Sequence, residues 1–367
     1  MIIGSGITIT SGVQIIGEIS ALYPFSTFTF ATGNTVGPTG ANVQWLFANS
    51  YSASNAGNVW LTNTTYYGVS KPGYQYWVVP ETAQYTIEVA GARSGIPTYS
   101  NVNAAARFGR GAVVRATFTL QQGTNITIAV GQPSANTTQP STFSSPGGGG
   151  GTFVVLPGNF PLIIAGGGGG NGNWTSNTAT YFAGNGVTTT FGGNSFNGAP
   201  GGFNGWGGNS HVNRNGVVSA NGYDSGGGGG FILPGVIGTG SNLRPGTTTT
   251  NNVGQGGWHF LANLVGGAAS TTYPPPSTSA GGFGGGGGAG PITGGGGGGY
   301  SGGGGAYSNA STAIDSGGGG GSWIAANATA VATSDGQYER SGTFGGESIT
   351  NLATVNAGPG YVRITKL

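Results

Sequence analysis

The sequence predicts a mainly β protein, a β-sandwich of the jelly-roll kind joined to an ordered bundle of polyglycine runs, with a β-rich segment ahead of both. Three observations carry this expectation. Residues 76–165 hold closely spaced stretches of period-two alternation, such as Tyr85-Thr86-Ile87-Glu88-Val89, the pattern of strands with one buried face. Residues 147–321 hold seven glycine runs, each four to six residues long. No helical periodicity of any length stands out; the nearest candidate is Ser322–Thr333, rich in Ala but also in Thr and Val, whose branched side chains lower helix propensity.

Residues 1–75 read as a β-rich attachment segment. Ile7-Thr8-Ile9-Thr10 and Phe28-Thr29-Phe30 alternate, and Gly33, Gly37-Pro38 and Gly40 mark turns. Trp45, Phe47, Trp60, Tyr66 and Tyr67 follow. In residues 76–165, the sandwich core, Ala112–Leu120 and Asn125–Val130 read as two strands of a hairpin joined by Gln121-Gln122-Gly123-Thr124. Phe153–Leu156 and Leu162–Ala165 continue the pattern, and residues 343–367 close the sandwich with a last strand over Tyr361–Thr365.

Residues 166–342 form the glycine-rich unit with its display loops. Counting the run that precedes it, the runs start at Gly147, Gly166, Gly226, Gly284, Gly294, Gly302 and Gly317. Glycine-rich chains are ordinarily flexible. Here the runs have matched lengths and alternate with Phe153, Ile163, Phe231, Phe283, Tyr300, Tyr307 and Trp323. Disorder goes with high charge and low hydrophobicity, whereas this chain is 5% charged and 36% hydrophobic. Polyglycine adopts a left-handed threefold helix of about 3.1 Å rise with no internal hydrogen bonds. Its amides and carbonyls point outward and need partners. Without Cβ atoms, neighbouring runs can approach and satisfy one another, and a five-residue run then spans roughly 15 Å.

Composition excludes several functions. The net charge is +2, and among ten scattered cations only Arg107, Arg110 and Arg115 cluster; a nucleic-acid binder shows a denser basic stripe. There is no cysteine, hence no disulfide framework or thiolate metal site. No stretch approaches the ~20 apolar residues of a membrane span. The N-terminal Met1-Ile2-Ile3-Gly4-Ser5-Gly6 lacks a basic region followed by an apolar one, so no signal peptide is expected. A phosphate-binding loop needs Gly-Lys-Ser/Thr, but Lys71 precedes Pro72 and Lys366 precedes Leu367. His211 and His259 without cysteines make a poor zinc set. Asp224 shares a stretch with His211, yet no Gly-x-Ser-x-Gly elbow supports a serine triad. Paired carboxylates for glycosidase chemistry have to come from Asp224, Asp315, Asp335, Glu339 and Glu347. No catalytic residue, metal or cofactor is expected.

Between the runs, Trp174, Tyr181, Phe182, Phe203, Trp206, Tyr223, Trp258, His259 and Tyr273 sit among Asn, Ser, Thr and Gly. Rigid aromatics beside adaptable polar groups are what antibody-like binding loops use. Trp174, Tyr181, Trp206, Tyr223, Trp258 and His259 are the candidate receptor-binding residues, with Trp206 and Trp258 the best exposed. The alternative is that they wedge between glycine runs as core. Tyr300 and Trp323 look structural.

Several blocks occur in a familiar order: Tyr76-Trp77-Val78-Val79-Pro80, Tyr85–Ala92, Gly109-Arg110-Gly111-Ala112, Val130-Gly131-Gln132, Gly147–Phe153, Ala165–Gly170, Gly294–Gly305, Gly317–Ile324 and Gly358–Ile364. Over about residues 76–365 this order resembles the glycine-rich domain of the anaplastic lymphoma kinase and leukocyte tyrosine kinase receptors. The resemblance implies a tumour-necrosis-factor-like sandwich fused to a polyglycine bundle, and surface recognition; no receptor ligand site carries over. Gly4-Ser5-Gly6-Ile7-Thr8-Ile9 is similar to leaders on virion proteins of marine tailed phages, and some phage tail-fibre tips resemble this design. The expectation is a non-enzymatic virion surface protein, a tail-fibre tip adhesin for a host glycan or outer-membrane protein. It would attach to other virion proteins through residues 1–75, with specificity in loops among 171–223 and 239–280, homo-oligomerisation left open, and no nucleic-acid binding or membrane insertion. Capsid decoration, and a self-assembling fibre subunit that pairs residues 1–30 with a neighbour, are the alternatives.

Overall fold

A computed structural model of the chain describes residues 20–51, 58–97, 108–137, 145–172, 183–196, 198–210, 224–236, 253–271, 280–307, 315–334, 342–344, 347–349 and 356–367. It is mainly β, with two antiparallel sheets. The five-stranded sheet runs β1 (Thr27–Phe30), β13 (Tyr361–Lys366), β4 (Ala83–Ala90), β5 (Val113–Leu120), β10 (Thr329–Ser334). The six-stranded sheet runs β2 (Tyr67–Lys71), β3 (Tyr74–Val78), β6 (Asn125–Ala129), β7 (Thr152–Leu156), β8 (Phe160–Ala165), β9 (Trp323–Ile324). A further pair, β11 (Gly342–Phe344) and β12 (Glu347–Ile349), is also antiparallel.

The alternation read in the sequence builds the core between the sheets. β4 turns Tyr85, Ile87 and Val89 inward, and β13 adds Val362 and Ile364; Trp77, Ile126, Ile128, Val154 and Leu162 meet them from the other sheet. Tyr23, Phe28, Phe30, Tyr51, Trp60 and Tyr67 belong to the same core. The described part of residues 1–75 is thus built into the sandwich: β1 pairs with β13, β2 pairs with β3, and the expected boundary at residue 75 falls inside β3.

Two local expectations are corrected. β5 and β6 are not a hairpin. β5 pairs with β4 and β10, whereas β6 pairs with β3 and β7. The intervening turn bonds instead to Val79, whose carbonyl accepts from Gly123 N at 2.9 Å and whose amide donates to Thr124 O at 3.0 Å. Crossing between sheets sets Phe118 and Leu120 and, on the other strand, Ile126 and Ile128 into the shared core, a better use of two amphipathic strands than edge pairing alone. A short helix, α1 (Val43–Asn49), also forms; Asn42 Oδ1 accepts the Trp45 amide at 2.8 Å and Leu46 is buried. Seven residues are too few to show a period, and the cap supplies what propensity does not. Ser322–Thr333, the helix candidate, instead carries β9 and most of β10.

The six-stranded sheet is covered on both faces. Ile126, Ile128 and Val154 face the sandwich core; Tyr74, Ala129, Phe153, Val155 and Ile164 face away, onto Phe231, Phe260, Leu264 and Phe283 from the glycine-rich part. Burial on both faces explains why β7 and β8 read as near-continuous apolar runs.

Beyond that face the glycine runs bond backbone to backbone. Gly294–Gly299 is the centre. Gly294 and Gly297 donate to Asp315 O and Gly318 O (3.3 and 2.9 Å), Gly295 and Gly298 to Pro146 O and Gly149 O (3.3 and 3.0 Å), and Gly296 and Gly299 to Gly226 O and Gly229 O (3.0 and 3.2 Å). Its carbonyls accept from Gly170 and Gly167 (both 2.7 Å), from Gly287 and from Gly303 (both 2.8 Å). All six other runs are therefore bonded to the central one. Residues three apart reach the same neighbour, and the step recurs elsewhere: Gly226 and Gly229 donate to Gly288 and Gly285, Gly148 and Gly151 to Gly287 and Gly284, Gly317 and Gly320 to Gly170 and Gly167.

This spacing leaves no room for a methyl group. A Cβ on Gly297 would overlap the Gly167 carbonyl oxygen, whereas one on Gly358 would meet only Asn356 Oδ1, at 3.4 Å. Gly297→Ala is expected to cost about 3 kcal/mol or more, at or above the upper end of ordinary overpacking, with Gly358→Ala close to neutral; urea unfolding measures both. Burial also pushes the Tyr23, Tyr51, Tyr67 and Tyr74 phenols well above the ordinary 10.0, and Tyr85 up to about 12. Above pH 10 the unfolded chain releases these protons while the folded chain keeps them. Stability is therefore fully present below pH 10 and falls as pH rises beyond it, which a series of melts from pH 8 to 12 will show.

Candidate functional site

The two ends of the glycine bundle differ chemically. At one end an Asp-Ser pair precedes a five-glycine run twice, in Asp224-Ser225-Gly226 and Asp315-Ser316-Gly317. All four side chains are buried. Asp315 Oδ2 accepts from Ser195 Oγ at 2.9 Å and from the Tyr307 amide at 2.7 Å, and Oδ1 from the Ser316 amide at 2.8 Å. Ser225 Oγ donates to Gly294 O at 2.6 Å and accepts from Ala306 N at 2.6 Å. Ser316 Oγ donates to Asn171 Oδ1 at 3.0 Å and accepts from Gly172 N at 3.0 Å. These side chains terminate the lattice by taking up backbone groups that the runs leave over. Burial, and then the Asp224 charge, push the Tyr307 phenol up.

At the other end the runs lead into aromatic residues. Phe260 lies 5.5 Å from both Tyr74 and Phe153, stacks on Phe231 at 4.9 Å, and Tyr300 stacks between Phe231 (6.3 Å) and Trp323 (4.6 Å). The Tyr74 hydroxyl donates to Phe260 O at 2.7 Å, and Trp323 Nε1 to Pro161 O at 3.1 Å. This ladder fastens the bundle to the sheet.

One turn projects from that end. In Phe203-Asn204-Gly205-Trp206 the Trp206 amide donates to Phe203 O at 2.9 Å, with φ of 49° at Asn204 and 82° at Gly205. Positive φ at both central residues, filled by Asn-Gly, is the type I′ hairpin turn. Its backbone is fixed from below. Gly205 N donates to Ser301 Oγ (3.2 Å), Gly205 O accepts from Ile232 N (2.7 Å), and Trp206 O accepts from Gly302 N (2.9 Å). Ser301 Oγ in turn donates to Thr190 O at 2.6 Å. On this base the Phe203 and Trp206 rings lie 4.9 Å apart at 35°, with 45% and 46% of their surface exposed. Phe191 and Ile232, next to residues that hold the turn, are exposed too. Two exposed aromatic rings packed together on a hydrogen-bonded turn make this the candidate interaction surface.

Of the sequence candidates, Trp206 stands exposed on this turn, while Trp258 and His259 are half-buried on the segment leading to Phe260. Trp174, Tyr181 and Tyr223 lie outside the described residues, as do Phe182, Tyr273 and His211. Asp224 and Asp315, weighed above as acids, are buried at the polar end; Asp335 and Glu339 lie outside the described residues, as does the Glu347 side chain. Among the described residues no group of three or more His, Asp or Glu side chains is placed to hold a metal. Sequence reasoning missed Phe191 and Ile232, single apolar residues with no pattern around them. It also passed over Asn204-Gly205 between two aromatics, a hairpin signature present in the chain. No protein-family model and no curated protein matches the sequence.

Asp315→Ala strands the Ser195 hydroxyl and the Tyr307 and Ser316 amides in the interior. At about 1–3 kcal/mol for each unsatisfied group, a loss of at least about 3 kcal/mol is expected, and Asp315→Asn, which keeps one carbonyl oxygen, is expected to lose less. Urea titration of the two variants checks the order.

Proposed function

We propose that the chain is a non-enzymatic virion surface protein of a tailed phage, a tail-fibre tip adhesin in which polyglycine II helices hold recognition loops against a host receptor. The threefold step of the hydrogen bonds supports the helix assignment: a helix with three residues per turn presents residues i and i+3 to the same neighbour. The observation that carries the adhesin reading is the Phe203–Trp206 turn, two exposed rings on a backbone bonded from below. Exposed aromatics are costly to leave in water unless a partner covers them, and a pre-ordered base lowers the entropy lost on binding. The resemblance to receptor glycine-rich domains and to phage tail tips agrees with this reading. The same reading has residues 1–75 contacting other virion proteins and the receptor as a host glycan or outer-membrane protein.

Immunogold electron microscopy with antibody against the folded chain, applied to virions that carry it, is expected to label the far ends of the tail fibres. Label on capsids would overturn the adhesin reading in favour of decoration, and label on free filaments in favour of a fibre subunit.

A further inference from the structure

We infer that the Phe203–Trp206 turn is a binding platform for an uncharged pyranose, so that the ligand at this end of the bundle is a neutral glycan chain. The inference rests on the adhesin reading and names the chemistry of its receptor. Three observations point to it.

The first is shape. The two rings pack against each other at 35° with centroids 4.9 Å apart, and 45% and 46% of the two residues' surface stays exposed, which leaves aromatic surface on the outside of the pair. A pyranose chair presents a nearly flat face of C–H bonds that packs on such rings, and its hydroxyls lie around the rim of the same face. The second is the placement of polar groups. Among the described residues the Asn204 side-chain amide and the Trp206 indole N–H have no hydrogen-bond partner. Asn204 sits at the tip between the rings in sequence and is exposed. A carboxamide offers two donors and an acceptor, and the indole one donor, the complement that vicinal hydroxyls require. A few convergent polar groups on an apolar surface fix orientation in small-ligand sites. The third is charge. Residues 183–210 and 225–236, which carry the turn and part of its base, include no Asp, Glu, Lys, Arg or His; at the same end of the bundle His259 is half-buried, and Lys71 Nζ donates to Ala262 O at 2.6 Å and lies over the Tyr74 ring. On those two segments a sialylated or sulfated chain finds no cation, and an acidic or basic peptide no counter-charge.

The turn is also built to keep this arrangement. Gly205 at φ 82° and Asn204 at φ 49° close the turn, and the backbone groups beneath are bonded to Ser301, Gly302 and Ile232. The backbone that carries the two rings is therefore set before a ligand arrives.

The test uses the full chain and immobilised oligosaccharides: neutral chains of glucose, galactose, mannose or N-acetylglucosamine, beside sialylated and sulfated ones. At least one neutral chain is expected to bind. Trp206→Ala, and Asn204→Gly, which keeps the positive φ while removing the amide, are each expected to weaken that binding about tenfold or more with unchanged thermal midpoints. Binding only to sialylated or sulfated chains overturns the inference, as does neutral binding that neither variant alters. If no saccharide binds while the protein still adsorbs to host cells through Trp206, the receptor is a protein: the glycan inference fails and the adhesin reading stands. If tail-fibre ends carry no label, the adhesin reading itself fails, whatever the saccharide result.

Discussion

Everything in the glycine-rich half depends on one constraint: a buried backbone amide or carbonyl must have a partner. An α-helix meets that demand within its own segment and a strand meets it with two neighbours. The central run Gly294–Gly299 meets it with six, its amides going to three runs and its carbonyls receiving from the other three. Six neighbours at that distance are available only to residues without a Cβ, since a methyl on any residue of the central run would overlap neighbouring backbone. Glycine here is a steric requirement first. Its conformational freedom is the cost, about 1–2 kcal/mol for each residue ordered, against about 1 kcal/mol net for each hydrogen bond made. At about one net bond per residue the lattice by itself falls short of that cost.

The remainder has to come from apolar burial, and the molecule supplies it where the lattice meets the sheet. The outer face of the six-stranded sheet is apolar, with Tyr74, Phe153, Val155 and Ile164, and the runs begin or end in the aromatics that cover it, Phe231, Phe283, Tyr300 and Trp323. Neither half is complete alone: without the bundle that face would be bare, and without the face the bundle would lack its clamp. At the opposite end the chain uses buried polar side chains, with Ser225, Asp315 and Ser316 standing in for the backbone groups that the next turn of lattice would have provided.

Much of this was legible in the sequence, and what was not has a common cause. Strands such as Tyr85–Val89 and the closing Tyr361–Thr365 announce themselves because one face is buried and the period is two. The seven runs announce themselves by composition. Which run lies at the centre was not legible, because residues with no side chains carry no pattern to say which neighbours they meet. The partners of β5 and β6 were hidden for a related reason: alternation tells which face is buried but not which sheet a strand joins, and a four-residue connection serves a hairpin or a crossover equally well. The site divides in the same way. Trp206 could be picked out as an aromatic between glycines, and the Asn-Gly beside it encodes its turn. Ile232 reaches the same end of the bundle only through a bond from its amide to Gly205, a long-range relation that no local pattern records.

A scaffold of this kind separates display from folding more fully than a side-chain core does. In an ordinary domain a loop residue that packs inward must fit the core, so changing it disturbs stability. Here the runs present only backbone to one another, and the connections between them can change length or composition without altering what the lattice is made of, provided that the terminal residues still satisfy its ends. Several of the chain's ionisable groups sit on the sandwich. Glu88 lies between Arg115 and Arg363 (3.8 and 3.9 Å) on the five-stranded sheet, and Lys366 pairs with Glu81. The turn that projects furthest into the proposed role is left with aromatic faces and neutral amides. Recognition there must come from shape and hydrogen bonding, the two things that a rigid backbone can hold in place.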